Sequence, residues 1–443
     1  INAEYGDMSA TWTVGKVMVI NLAMAGLQFC FACYCVLNSP FLKELDVQPW
    51  MNSAIMVIGP VAGFLVQPFI GYFSDRSTSR IGRRRPFVMV GAICTAISQI
   101  WMGMSAEIAG LFFTVDTPKF FTFAQVWAIF GVIFCNTSIN VELAAFRSLI
   151  ADVVPPSAQD KGATYSGFMM GGSFMLCNII MLVMKEVDPS MRYRDVYPLL
   201  SVIAALTTVT LVIPTVFLAT EKPTVQKLPK INVFKQLFQE FKNMNKVFYL
   251  AMLPLLFGWC GYTPIQQFTG TVFPMETTII AQICLNAVTT LLSPIFGHFI
   301  SRLGERWIFV ICGAIYVVAA VLLLVSGYLK DQAMGQTWMI SIEFALIGFL
   351  NCAMNTIPFI FVGKLAPAQS KGLYSGVFNC VIVIGQAIAN VMLTIVNAAV
   401  ENTTNPLWIA AVFAVATCAS TFFIKDSAKC QAYEKIEEKD ELA

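Results

Sequence analysis

Charge is what this chain has least of. Only 12% of its 443 residues are Asp, Glu, Lys or Arg, while 57% are hydrophobic. A soluble domain carries roughly 25% charged residues. Mean hydropathy is +0.71. No water-soluble fold needs that much apolar surface, so the composition predicts a protein that crosses a membrane many times. Histidine is nearly missing, with one in the chain, which argues against a metal centre. The thirteen cysteines sit mostly inside apolar runs, as at Cys30, Cys94, Cys177, Cys284 and Cys352, and the Cys33/Cys35 spacing does not fit a zinc site. They read as small buried apolar residues. A Walker loop, a dinucleotide fingerprint and a catalytic triad signature are all lacking, so the sequence offers no enzyme and implies no cofactor and no metal. The net charge of +2 says nothing about partners, and no nucleic-acid partner is expected. The opening residues INAEYGDMSATW lack a signal peptide's cationic start.

What is present is long apolar runs. A spanning helix needs about 20 apolar residues. Twelve segments qualify: 17–42, 51–73, 86–106, 121–148, 163–184, 197–218, 247–270, 276–299, 306–328, 337–362, 371–396 and 405–424. They are called spans 1 to 12 below. The longest polar connection, 219–246, separates spans 6 and 7. Its second half places Val233, Leu237, Phe238 and Phe241 at helical spacing among lysines, which predicts a short amphipathic helix on the membrane surface. The expected organisation is a six-helix bundle over 1–218, this linker over 219–246, a second six-helix bundle over 247–424 and a tail over 425–443.

Charge distribution supports the count. With both termini cytoplasmic, 22 of the 28 Lys and Arg fall on the inner side and six on the outer, as the positive-inside rule requires. The chain also repeats. Arg80-Ile81-Gly82-Arg83-Arg84 after span 2 is echoed by Arg302-Leu303-Gly304-Glu305-Arg306 after span 8, 222 residues later. Gln159, Lys161 and Gly162 after span 4 match Gln369, Lys371 and Gly372 after span 10 at a spacing of 210. The fold class that follows is an all-α polytopic membrane protein of twelve transmembrane helices in two six-helix halves, the architecture of the major facilitator superfamily. Such halves hold a substrate near the bilayer midplane and rock around it.

The stretch from Gly59 to Pro86, GPVAGFLVQPFIGYFSDRSTSRIGRRRP, reads as the gating motif of such a machine. Gly71 allows close packing. Asp75 ends span 2, where the helix dipole disfavours an anion. It therefore needs a cation, which Arg76, Arg80, Arg83 or Arg84 can supply around Gly82. The same arginines also set topology, and Asp152 reads as a partner for a loop cation.

Ionisable and polar residues inside spans are functional by default. Span 4 carries Asn136, Asn140, Glu142 and Arg147. Asn140 and Arg147, seven apart, share a helix face. Glu142 and Arg147, about 500° apart, do not. Amides and a guanidinium suit a polyhydroxylated ligand because they offer several fixed hydrogen bonds. Span 11 offers Asn379 and Gln386 at the same seven-residue spacing, with Asn390 beyond. Span 1 offers Asn21 and Gln28. Such polar stripes can also join helices to one another. Glu343 in span 10 either titrates or reaches the interface. Phe29, Phe31, Tyr34, Trp259, Tyr262 and Phe268 can stack on sugar rings or simply pack. The Lys439–Leu442 tail resembles a retrieval signal but is followed by Ala443 on the cytoplasmic side. Asn402 begins a glycosylation sequon, but its loop is short and close to the membrane.

Three stretches resemble the sucrose transporter family, within the glycoside–pentoside–hexuronide cation symporters. They are 59–87, Thr356-Ile357-Pro358-Phe359 with GLYSGVFNCVIVIGQ at 372–386, and Arg147 to Asp152 (RSLIAD) with Asn140 upstream. The resemblance implies a secondary transporter for a sugar or glucoside, sucrose-like, coupled to protons and working by alternating access. Taken with the polar faces of spans 1, 4 and 11, it places Gln28, Asn136, Asn140, Arg147, Asn379 and Gln386 at the substrate. Two departures stand out. The family carries a proton-coupling aspartate eleven residues before the arginine, where this chain has Asn136. Its plant members carry charge in span 7, where GWCGYTPIQQF at 258–268 has none. Glu142 and Glu343 are the remaining proton carriers. The alternatives are another small solute on the same fold, a uniporter, and a non-transporting sensor or structural subunit. The expected setting is the lipid bilayer of the plasma membrane, ahead of an organelle membrane, as a monomer.

Overall fold

The computed structural model describes residues 13–426 except 49–50, 52–54, 56, 156–157, 189, 191, 222–234, 236–237, 240, 243, 330–335, 368–370, 400–403 and 425. The Asn402 sequon, the 439–442 tail and most of the linker lie outside the described residues. Within the linker, Lys235, Phe238, Gln239, Phe241 and Lys242 are helical and exposed.

The described elements are helices: α1 Val14–Ile20, α2 Leu22–Glu44, α3 Ile58–Asp75, α4 Arg85–Gly103, α5 Ser105–Phe112, α6 Pro118–Val153, α7 Gln159–Val187, α8 Tyr193–Leu218, α9 Lys246–Val272, α10 Met275–Tyr328, α11 Gln336–Leu365, α12 Lys371–Ala399 and α13 Asn405–Thr421. Lipid offers backbone groups no hydrogen bonds, so a spanning segment must satisfy its own. Among the described residues, eight helices, or nine with the bent pair α1 and α2 as one, are long and apolar enough to cross a membrane. One of them, α10, is 54 residues long and covers two of the twelve expected segments, α5 extends the third beyond a break at Met104, and the shorter α3 and α13 cover the second and twelfth.

Three boundaries differ from the hydropathy reading, each for a local reason. Span 1 is bent by 46° between α1 and α2. Asn21 sits at the bend, and its amide donates to Val17 O at 2.9 Å, competing with the main-chain ladder. Thr215 repairs the break: its hydroxyl accepts from Ala23 N at 2.9 Å and donates to Val19 O. Spans 8 and 9 run on as one 54-residue helix, interrupted only where Gly304 takes φ +83°. Span 4 lengthens to 36 residues in α6, because its polar end is carried on past Arg147 to Val153.

The chain forms two compact units. The first comprises residues 1–153 and 169–228, the second 154–168 and 229–443. The opening of α7 thus groups with the second unit, where Gly363 lies against Gln159.

Apolar burial gives little drive between helices in lipid, so close backbone approach and polar contacts take its place. In the first unit α2 packs on α8 at Gly26, where a Cβ would stand 2.7 Å from Thr208 Cα. In the second, α11 packs on α10 at Gly348, where a Cβ would stand 2.7 Å from Leu285 O. Phe248, Phe309, Tyr316, Phe344 and Phe361 fill that unit's interior. At the far end of α2, Glu44 caps α8: its carboxylate accepts from Tyr193 N at 2.9 Å and Arg194 N at 2.8 Å, an N-terminal site that favours an anion.

Gly26→Leu is therefore expected to overpack the α2–α8 contact, at a cost of about 1–3 kcal/mol. The thermal midpoint of the purified protein should fall, and an unchanged midpoint would contradict this packing.

Candidate functional site

The polar residues of α6 divide into two faces. On one, the Asn136 amide donates to Val132 O at 2.9 Å and the Asn140 amide to Asn136 O at 2.7 Å. Each side chain thus holds the turn before it. Asn140 Oδ1 accepts a hydrogen bond from Gln67 Nε2 of α3. Gly59 of α3 leaves room for Asn136, whose Oδ1 would lie 2.9 Å from a Cβ placed there. The Tyr34 hydroxyl of α2 reaches Asn136. Gln67, Asn136 and Asn140 are all buried, and Gln67 Oε1 has no hydrogen-bond partner among the described residues. The result is a row of amides through an apolar span, with one acceptor left to spend. Arg147 lies two turns further along α6, half-buried.

Sequence reasoning missed Gln67. It stands four residues before Gly71 in an otherwise apolar run, and the same scan of polar residues inside spans that selected Asn140 finds it. Gln28 lies buried on α2, with Nε2 3.6 Å from Met24 Sδ in its own helix. Phe31 stacks on Tyr34 at 6.3 Å and meets Phe174 edge-on at 5.9 Å. In the second unit Asn379 is buried and Gln386 half-buried on α12. Trp259 and Tyr262 of α9 meet edge-on at 5.4 Å.

Glu142 faces away from the amide row, toward Gly91 and Thr95 of α4. Glu343 is buried inside the second unit and accepts a hydrogen bond from Ser326 at 2.7 Å. Cys30 and Cys33 stand at a C-x-x-C spacing, but both are buried on α2. Among the described residues no three His, Cys, Asp or Glu side chains form a metal-binding group.

The basic turn between α3 and α4 is held by buried charge. Arg84 is fully buried. Its guanidinium pairs with Asp75 and donates to Ser74 Oγ. It also pairs with Asp152 of α6 at 2.9 Å and donates to Gly71 O at 3.4 Å. Arg83 adds a second contact to Asp152 at 2.8 Å. Arg76 lies 3.7 Å from the centre of the Tyr72 ring. The acid that ends α3 is met by Arg84.

Glu221, just beyond α8, caps α4. Its carboxylate accepts from Arg84 N at 2.9 Å and Arg85 N at 3.1 Å. Burial pushes this carboxyl above its usual range, opposed by those two N–H groups. Gly82 makes the approach possible with φ +120°, a conformation that suits glycine. The sequence echo repeats the device. Gly304 has φ +83°, and Asp426, just beyond α13, accepts from Arg306 N at 2.9 Å. Glu305 pairs with Lys364 at 3.3 Å. The echo carries no acid for Asp75, since position 297 is Gly297.

Removing one partner of a buried charge cluster costs about 3–5 kcal/mol. Arg84→Ala should therefore lower the thermal midpoint far more than Arg83→Ala, and Arg84→Lys should not restore it, because one ammonium cannot span Asp75, Asp152, Ser74 and Gly71 at once. Equal midpoints for the two alanine variants would contradict the assignment.

Comparison with known proteins fits this geometry. Solved structures with the same fold include a proton:xylose symporter bound to 6-bromo-6-deoxy-D-glucose, with TM-score 0.68, 12% identity and 94% and 96% of the two chains covered. Another is the transporter FucP in its outward conformation, with TM-score 0.62, 12% identity, and coverage of 93% and 99%. A general alpha-glucoside permease of Schizosaccharomyces pombe is 27% identical over 234 residues, 52% of this chain but only 41% of the permease. A sucrose transport protein of Arabidopsis thaliana is 23% identical over 436 residues, 85% of this chain and 84% of the relative. The model of one family, described as MFS/sugar transport protein, matches residues 17–406, and the chain belongs to that family.

Proposed function

We propose that this protein moves a sugar or glucoside across a membrane by alternating access, together with a proton. The observation that carries the reading is the buried amide row Gln67–Asn140–Asn136 in a member of a sugar-transport family. Buried amides in a span are expensive unless something uses their hydrogen bonds. A sugar offers hydroxyls that both give and accept, and the unspent Gln67 Oε1 is an acceptor for one. Arg147 adds fixed donors. Gln28 extends the proposed lining within the first unit, and Tyr34 offers a ring face. The relatives named for sucrose and alpha-glucosides favour a glucoside over a free pentose.

The Arg84 cluster serves as the gate. Its partners come from α3, the α3–α4 turn and α6, so one conformation can hold it intact and another can open it. The 22-to-6 partition of Lys and Arg favours cytoplasmic termini, and a monomer in the plasma membrane accommodates all these features.

The test is uptake of labelled sucrose, maltose and glucose into proteoliposomes, with and without an inward proton gradient. Accumulation of at least one sugar above equilibration is expected only with the gradient. Arg147→Ala should lower uptake about tenfold or more, since each lost hydrogen bond to a buried polar group costs about 1–3 kcal/mol. No movement of any sugar would overturn the substrate class. Accumulation indifferent to the gradient would overturn the coupling.

A further inference from the structure

Glu142 takes no part in the sugar face, and its surroundings are unusual for a carboxylate. It lies two residues beyond Asn140, about 200° around α6. There it is fully buried against α4, whose Gly91 lets the two backbones meet: a Cβ on Gly91 would stand 2.8 Å from Glu142 Cα. The Thr95 hydroxyl, one turn along α4, faces the carboxyl. Cys30 of α2 borders the same space and gives its S–H to Ala204 O at 3.3 Å. Gln99 of α4 donates to Cys30 O at 2.7 Å and touches Cys135 Sγ at 3.5 Å. Thr208 of α8 lies beside Cys30.

Both carboxyl oxygens of Glu142 are buried, and among the described residues the only side chains set against the carboxyl are neutral: the Thr95 hydroxyl and the Cys30 thiol, whose other neighbour is the Thr208 hydroxyl. The titratable group facing Glu142 is the thiol of Cys30 on α2, which Cys135 of α6 and Cys177 of α7 also approach. Thr95, Gln99 and Thr208 are neutral, and α3 meets α6 on the amide side. Among the described residues no cation pairs with Glu142. A bare carboxylate in such a space costs several kcal/mol. The acid form avoids that cost and turns one oxygen into a donor that the Thr95 hydroxyl can accept.

We propose that Glu142 is the proton-binding group of the first unit, and that its proton sits behind the sugar face, at the contact of α6 with α4 beside Cys30 of α2, and not at the position held by Asn136. This rests on the sugar-transport reading for its consequence. One helix, α6, carries the amide row on one side and the proton on the other. When the proton leaves to water, the remaining charge must be hydrated, which opens the Gly91 contact and displaces α6 and its amides together. Proton and sugar are thereby coupled without touching.

Two readouts test this. The first needs no sugar: infrared spectra of the protein in lipid at neutral pH, wild type minus Glu142→Gln, should show the C=O stretch of one protonated carboxylic acid. Thr95→Val should shift that band. No such band would overturn the proposal, and so would a band that neither variant alters. The second is transport. Glu142→Gln should keep sugar counterflow within about twofold and lose gradient-driven accumulation, with Glu142→Asp recovering part of it. Wild-type accumulation by Glu142→Gln would overturn the coupling role. If Glu142→Gln does not fold, the Thr95→Val spectrum decides. If wild type moves no sugar, the sugar reading fails and the infrared band alone decides Glu142.

Discussion

The buried guanidinium of Arg84 is the contact on which the first unit's geometry depends. A charge with no exposed surface is tolerable only if its partners are fixed, and Arg84 has Asp75, Asp152, Ser74 and the Gly71 carbonyl around it. Its backbone N–H, capped by Glu221, also starts α4. One residue therefore ties the end of α3, the start of α4, the end of α6 and the segment beyond α8. Moving any of these elements strains a buried ion pair, and such a cluster has few intermediate arrangements.

The second unit repeats the scaffold without the charge. Gly304 and Asp426 reproduce the positive-φ glycine and the acidic cap of Gly82 and Glu221, so both repeats solve the helix start in the same way. The acid at the end of the preceding helix is replaced by Gly297. Lys364 and Glu305 supply a single ion pair in its place. Duplication preserved what the backbone needs, an anion on exposed N–H groups, and left the buried charge cluster to the first half. Each unit also buries a carboxyl against a hydroxyl, Glu142 against Thr95 of α4 and Glu343 against Ser326 of α10.

Much of this was legible in the sequence because hydropathy and charge act over whole spans. The twelve spans, the paired halves, the need of Asp75 for a cation and the family resemblance all come from long patterns. What was not legible depends on single contacts. Asn21 looks like one more polar residue until Thr215, 194 positions away, is seen to complete the broken turn. Which arginine meets Asp75 could not be chosen from five neighbours of equal charge; only the path of the turn selects Arg84. Glu221 and Asp426 lie just past apolar runs, where an acid reads as solvated. The helical wheel separated Glu142 from Arg147 but could not reveal Gly91 opposite, which makes the burial of that carboxyl complete.

The central claim is that the amide row of α6 and α3 meets a sugar. Equilibrium binding of labelled sucrose and maltose to purified protein, wild type against Asn140→Ala and Gln67→Ala, tests it most directly. The account predicts saturable binding of at least one of the two by wild type. It predicts that each alanine variant weakens that binding by about tenfold, the equivalent of 1.4 kcal/mol, while keeping the wild-type thermal midpoint within a few degrees. Undiminished binding by both variants would contradict it.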